Sequence, residues 1–192
     1  MELIITGTGR CGTGYMSQVI ERAGLHCTHE QVFTPDGVDE PHVWAEASWM
    51  AVPYLPHYAD TPVVLVHRHP LAVFSSFLGM HFFDRPSPHL EFLHRKNPAL
   101  RDLNPIDAAI DHYLFWNRHA LNYADVVVDI EDVAWEKIIP LSSYLTIDGV
   151  ALGIATTSLT YNHAERANID PSMIPDEVWE MRSLLKEMEA KT

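Results

Sequence analysis

The run Gly7-Thr8-Gly9-Arg10-Cys11-Gly12-Thr13-Gly14 puts four glycines into eight residues, directly after an apolar stretch and directly before an amphipathic one. Glycine takes positive φ and lets backbone approach closely. Its density between a strand and a helix predicts a turn whose amides face inward as an anion nest, with a helix N-terminus behind them. Arg10 adds a full positive charge to that turn. The strand is read at Leu3 to Thr6. The helix shows in Met16, Val19, Ile20 and Ala23, which recur at i, i+3, i+4 and i+7, and Gly24 stands where its C-terminal end is expected.

The same reading extends along the chain. Val63-Val64-Leu65-Val66 is apolar throughout, as a central parallel strand covered on both faces should be. It ends at His67-Arg68-His69, and Pro70 suits the first turn of the next helix. Val126 to Val128 is another buried strand, and a weaker one covers Leu25 to Thr28, ending at His29-Glu30. A helix is expected between Glu40 and Met50, containing Trp44 and Trp49. Asn104-Pro105 caps a long helix with Ile106, Ile110, Tyr113, Leu114 and Leu121 along one side. The last helix begins near Pro175, carries Asp176 and Glu177 in its first turn, and buries Val178, Met181, Leu185 and Met188. Gly79 to Asn104, with Pro86, Pro88 and Pro98, reads as an irregular lid or insert, and Gly149 to Asp170 as loop.

Strands alternating with helices predict an α/β chain: a three-layer domain with a mostly parallel central sheet. The 192 residues suit one domain spanning 1–192. Ligands on such sheets bind beyond the carboxyl ends of the strands. Those ends carry the glycine loop, His29-Glu30, His67-Arg68-His69 and Asp129 to Glu131.

Charge narrows the ligand. The formal net charge is −13, from 26 acidic against 13 basic residues, and a surface this acidic repels nucleic acid and anionic membranes. Neither is expected as a partner, so an anion must be held by a local basic or amide-rich pocket. No apolar run approaches the ~20 residues of a membrane span, and the sequence opens on a strand without a leader. Two cysteines, Cys11 and Cys27, are too few for a disulfide framework. A cytoplasmic location is the expectation. The 12 histidines show no ligand spacing, and no Cys-x-x-Cys occurs, so no metal is expected.

Three phosphate-binding patterns compete for the loop. Gly7-x-Gly9-x-x-Gly12 matches the dinucleotide fingerprint, with Glu30 near the ribose-binding acid, but it leaves Val63 to Ser76 unexplained. The phosphate loop of nucleoside triphosphatases needs a lysine where this chain has Thr13. The third pattern uses more residues. Thr8 to Tyr15 resembles the 5′-phosphosulfate loop of sulfotransferases, with a basic residue, a small residue, Gly, Thr and then an aromatic. Val64-Leu65-Val66-His67-Arg68-His69-Pro70, with Ser76 eight residues after Arg68, is similar to the second element of that family. Trp116-Asn117 and Asp129-Ile130-Glu131-Asp132-Val133 also resemble later segments, so the likeness covers most of the first 135 residues.

That resemblance implies a fold like that of the phosphate-loop nucleoside triphosphatases and a short member of the bacterial or phage type. It implies transfer of a sulfuryl group from 3′-phosphoadenosine 5′-phosphosulfate to a hydroxyl or amine on a small molecule or carbohydrate. By the same resemblance, Gly9, Arg10, Cys11, Gly12, Thr13, Gly14 and Tyr15 hold the 5′-phosphosulfate, and Arg10 also stabilises the leaving phosphate. Arg68 and Ser76 hold the 3′-phosphate, and Arg166 stands in a loose counterpart of a later cofactor loop. Arg10 replaces the lysine common in the family; a guanidinium stabilises charge but does not give up a proton at neutral pH. Glu30 is the candidate base and His29 the alternative. Cys11 matters only as a small residue, and Trp44, Trp49, Phe82 and Phe83 are candidates for an acceptor pocket. A kinase-like phosphoryl transferase and a non-catalytic nucleotide-binding protein are the other functional readings.

Overall fold

The computed structural model describes residues 1–39, 43–157 and 167–192. Five parallel strands form the central sheet: β1 (Leu3–Gly7), β2 (Cys27–His29), β5 (Ala45–Ala47), β6 (Val63–His67) and β7 (Val126–Asp129). A two-stranded antiparallel hairpin, β3 (Phe33–Thr34) and β4 (Gly37–Val38), stands apart from it. The sheet runs in the order β2-β5-β1-β6-β7, with Gly7 opposite Val66 and His67 opposite Asp129. The α/β class and the mostly parallel sheet expected from the sequence are therefore present.

Side chains alternate across the sheet, as the pleat requires. Ile4, Val63, Leu65 and Val127 point into one core, which α2 (Pro70–Gly79), α3 (Pro88–Lys96), α4 (Pro105–Leu121) and α7 (Asp176–Lys191) cover. Leu3, Ile5, Val64, Val66, Val126 and Val128 point the other way, onto α1 (Thr13–Arg22), α5 (Trp135–Ile138) and α6 (Ile147–Thr156). Helix, sheet and helix make three layers. Asn104 caps α4 by accepting from the amides of Ile106 and Asp107, both at 3.1 Å, as its position before Pro105 predicts.

Four local expectations are corrected. The second strand spans Cys27–His29 rather than Leu25 to Thr28. The helix expected from Glu40 to Met50 is instead β5 followed by a 3-10 helix at Trp49–His57. Pro53 and Pro56 suit that tighter helix better than a continuous α-helix, and Ser48 starts it by accepting from Met50 N–H at 3.1 Å. The stretch from Gly79 to Asn104 is not irregular throughout. Ser87 caps α3, with Pro88 at its first position, and a 3-10 turn follows at Pro98–Asp102. Finally, α6 occupies part of the expected loop from Gly149 to Asp170, with Thr146 as its cap.

One core residue sets a pH dependence. His112 on α4 is fully buried among Trp49, Phe77 and Trp116, and neither ring nitrogen has a hydrogen-bond partner among the described residues. Burial lowers its pKa to about 3, so the ring stays neutral in the fold and takes up a proton only on unfolding. A histidine lowered in this way costs stability as pH falls below its unfolded value of ~6.5, at about 1.4 kcal/mol per pH unit. We expect His112→Phe to remove about 2 kcal/mol of the stability lost between pH 7 and pH 5. Urea unfolding of both proteins at the two pH values checks this, and equal losses would exclude it.

Candidate functional site

Beyond the carboxyl ends of β1, β2, β5 and β6 lies a cavity of about 420 Å³. Its floor is the glycine loop and the first turn of α1: Gly9, Arg10, Gly12, Thr13, Gly14 and Tyr15. Arg68 enters from the end of β6, and His29 and Glu30 from the end of β2. Trp49 and Phe77 close the apolar side. The outer wall is the connection after α2, with Met80, His81, Phe82, Arg85, Ser87 and His89.

The loop conformation follows from its sequence. Gly12 sits at φ 112° as the N-cap of α1, and no side chain caps that helix. Its Cα faces Ile130 so closely that an added Cβ would lie 2.5 Å from the Ile130 side chain. Arg10 is itself at φ 70°. Among the described residues, the non-glycine positions with positive φ are Arg10, Glu30 and His81, and all three line this cavity. Such backbone costs of order 1–3 kcal/mol and gathers at functional sites. This marks the cavity independently of any motif.

Two arginines are tied to the loop. Arg10 Nε donates to Ser76 Oγ on α2 at 2.8 Å, and Arg68 Nη1 donates to the Arg10 carbonyl at 3.5 Å. Among the described residues, Arg68 Nε is buried without a hydrogen-bond partner. Buried charged donors are rarely left so, and this one fits an anion that contributes an acceptor. Among the described residues, three arginines (Arg10, Arg68 and Arg85) line the cavity against a single carboxylate, Glu30. The cavity thus opposes the sign of the protein as a whole, whose net charge is −13.

The carboxylate is held between two histidines. His29 Nε2 lies 3.5 Å from Glu30 Oε1 and 3.3 Å from Thr13 Oγ1, and His89 Nε2 lies 3.4 Å from Glu30 Oε2. Burial acts to raise the Glu30 pKa, but the His89 hydrogen bond, the nearby imidazoles and a hydrogen bond from Trp49 outweigh it and hold the carboxyl below its ordinary value. Burial lowers the His29 pKa, with Glu30 opposing and Arg10 assisting. Cys11 is fully buried beneath the loop, and burial pushes its thiol up to about 12. It is an inert small residue there.

The structure therefore brings Arg10, Gly9, Gly12 to Tyr15, Arg68, Glu30 and His29 to one cavity. Cys11 lies under the loop, and Ser76 stands behind Arg10 as its anchor instead of on the lining. His67 and His69 do not line the cavity. Asp129 is engaged elsewhere, 2.7 Å from Lys186 on α7. Trp44 packs at a tilt against Tyr144 at the surface, with ring centroids 4.3 Å apart, while Phe83 packs behind Phe82 and Phe77. Arg166 lies outside the described residues. Its neighbour Ala167 is held by Ser75, whose hydroxyl donates to the Ala167 carbonyl at 2.6 Å. His89 and Arg85 were not candidates in the sequence, where the segment around them offers only polar residues and prolines. Among the described residues no group of three or more His, Cys, Asp or Glu side chains is arranged to hold a metal. Among the same residues no helix is long and apolar enough to cross a membrane.

Comparison with family models finds no match to this chain, and comparison with curated protein sequences finds none either.

We expect Gly12→Ala to cost about 1–3 kcal/mol, because it forces a side chain into both positive φ and the Ile130 contact. Chemical denaturation measures the cost; a change below about 0.5 kcal/mol would be inconsistent with this loop geometry.

Proposed function

We propose that this protein is a sulfotransferase that takes its sulfuryl group from 3′-phosphoadenosine 5′-phosphosulfate. The observation that carries the reading is Arg68. It leaves β6 beside the glycine loop, bonds the Arg10 carbonyl, and keeps a buried Nε–H without an acceptor among the described residues. A loop anion site alone fits any phosphate compound. A second arginine, fixed to that loop and needing an acceptor of its own, fits a ligand with two separate anionic groups.

The strand order argues against the dinucleotide alternative. Counting only strands of the main sheet, it is 2-3-1-4-5, whereas the dinucleotide fold runs 3-2-1-4-5-6 and sets its second strand beside the first. Here β5 separates them. The kinase reading lacks its phosphate-binding lysine, since no lysine lines the cavity.

On this proposal the chain's residues divide the work as follows. The α1 N-terminus and the guanidinium of Arg10 meet the 5′-phosphosulfate, and they stabilise the charge that grows on the phosphate side as the sulfur–oxygen bond breaks. Ser76 keeps Arg10 aimed by accepting from its Nε. Arg68 meets the 3′-phosphate. Glu30 receives the proton of the acceptor hydroxyl, and Trp49, Phe77 and Phe82 give the acceptor an apolar wall. The donor supplies the activated sulfuryl group, and no metal is required to make it reactive.

Two measurements test the reading. Adenosine 3′,5′-bisphosphate is expected to bind more tightly than adenosine 5′-monophosphate, and Arg68→Ala to erase most of that preference. One charge-assisted hydrogen bond is worth ~1.5–3 kcal/mol, or roughly 10- to 100-fold in affinity. Equal affinities in calorimetry on the wild-type protein would sink the assignment. Glu30→Gln is expected to leave nucleotide affinity in place and to lower turnover of 3′-phosphoadenosine 5′-phosphosulfate by ~100-fold, the scale of a lost general base. Retained turnover would remove Glu30 from that role.

A further inference from the structure

β5 contains a charged residue that neither its length nor its neighbours lead one to expect. Ala45-Glu46-Ala47 lies between β2 and β1, opposite Thr28 on one side and Ile4 on the other. Glu46 is completely buried. A buried carboxylate survives only where donors surround it, and here they come from a single turn. Thr28 donates its hydroxyl to Oε2. The amides of Gln31 and Val32 donate to Oε1 at 2.8 and 3.2 Å, and a hydrogen bond from the Phe33 amide reaches the same carboxylate.

These donors flank His29 and Glu30 in sequence, on both sides. Glu30 is held at φ 56°, a conformation that a residue with a side chain adopts only when its surroundings fix it. β3 begins at Phe33, so the chain has only a few residues in which to leave the sheet and present Glu30 to the cavity. Glu46 itself does not line the cavity.

We propose that Glu46 is a positioning residue: its buried carboxylate gathers the turn from Thr28 to Phe33 and thereby aims Glu30 between His29 and His89. Its consequence for turnover rests on the sulfotransferase reading, but its effect on the Glu30 carboxylate does not. The role also predicts an asymmetry between substitutions. Glutamine at this position retains an oxygen for the Gln31 and Val32 amides and offers its NH₂ to the Thr28 hydroxyl, so Glu46→Gln should preserve the turn. Glu46→Ala leaves the donors unsatisfied and should release it.

The test reads the imidazole ring signals of His29 and His89 by nuclear magnetic resonance, together with affinity for adenosine 3′,5′-bisphosphate and turnover of 3′-phosphoadenosine 5′-phosphosulfate. In the otherwise wild-type chain, Glu30→Gln is expected to shift both ring signals, because each ring faces that carboxylate. Glu46→Ala is expected to shift both signals on its own and to make them insensitive to a second change at Glu30. Nucleotide affinity should stay within about threefold, while turnover falls ~10- to 100-fold, the scale of a misaligned catalytic group. Glu46→Gln should keep the wild-type signals and turnover. Unmoved His29 and His89 signals in Glu46→Ala would overturn the proposal, as would equal losses in the Ala and Gln variants or a parallel loss of nucleotide affinity. If Glu46→Ala does not fold, Thr28→Val removes one donor from the turn and is expected to shift the same signals; unshifted signals there count equally against it. A wild-type protein without preference for the 3′-phosphate would remove the sulfotransferase reading while leaving the ring-signal test standing.

Discussion

The parallel pairing of β1 with β6 is the contact on which the rest of the site depends. It sets Gly7 opposite Val66, the last pair between these two strands. The glycine loop begins on one strand, Arg68 follows two residues later on the other, and the Arg68 guanidinium meets the Arg10 carbonyl. A one-residue slip in a parallel pair would turn each side chain to the opposite face. The alternation of Val63 and Leu65 toward one core with Val64 and Val66 toward the other forbids that slip. Packing of two hydrophobic layers therefore fixes where two cations stand. α2 then completes the arrangement, because Ser76 holds Arg10 from the far side.

This arrangement also resolves a conflict of charge. The chain carries twice as many acidic as basic residues, 26 against 13, and so repels anions at long range. Among the described residues the cavity reverses that sign locally by concentrating three arginines and a helix N-terminus against one carboxylate. In a partly enclosed space these charges are screened less than they would be on the surface. On the proposed reading, an anion that reaches the cavity is held there, while polyanions that must contact a broad surface are not.

Sequence reasoning reached those parts of the molecule whose causes are local. β1, the glycine loop, β6, α4 and α7 announce themselves through apolar runs, caps and helical spacing within a few residues. Arg68 was legible because it ends the most apolar strand. β5 was not, since Ala45-Glu46-Ala47 carries no β-branched or aromatic residue and its charge signals exposure. Glu46 is buried only because Thr28 and the amides after it lie on a neighbouring strand and turn. α3 and α6 were hidden for a different reason: their neighbourhoods are rich in proline or small residues, and their caps, Ser87 and Thr146, are common in loops as well. His89 joins the site from α3, across a distance in sequence that no local pattern encodes. Ser76 was found by its spacing from Arg68, yet its observed partner is Arg10.

The pair His29 and Glu30 could not be ordered by sequence, and the geometry supplies an argument for doing so. His29 presents one nitrogen, Nε2, to both the Glu30 carboxylate and the Thr13 hydroxyl. Burial keeps the ring neutral, so only one of its nitrogens carries a proton. An ionised carboxylate accepts and never donates, and Glu30 is held ionised. A neutral ring faces Glu30 favourably only when its proton stands on Nε2, since an ionised carboxylate cannot donate. In that state His29 Nε2 offers the carboxylate no lone pair. On the sulfotransferase reading, such a ring orients Glu30 and does not compete with it. Under the proposed reaction, the same bonds that aim the carboxylate also lower its basicity, so its contribution to the rate must come more from position than from proton affinity. A base of that kind is only as good as the turn that carries it, so on the proposed reading a buried residue on β5, remote from the cavity lining, bears on the chemistry.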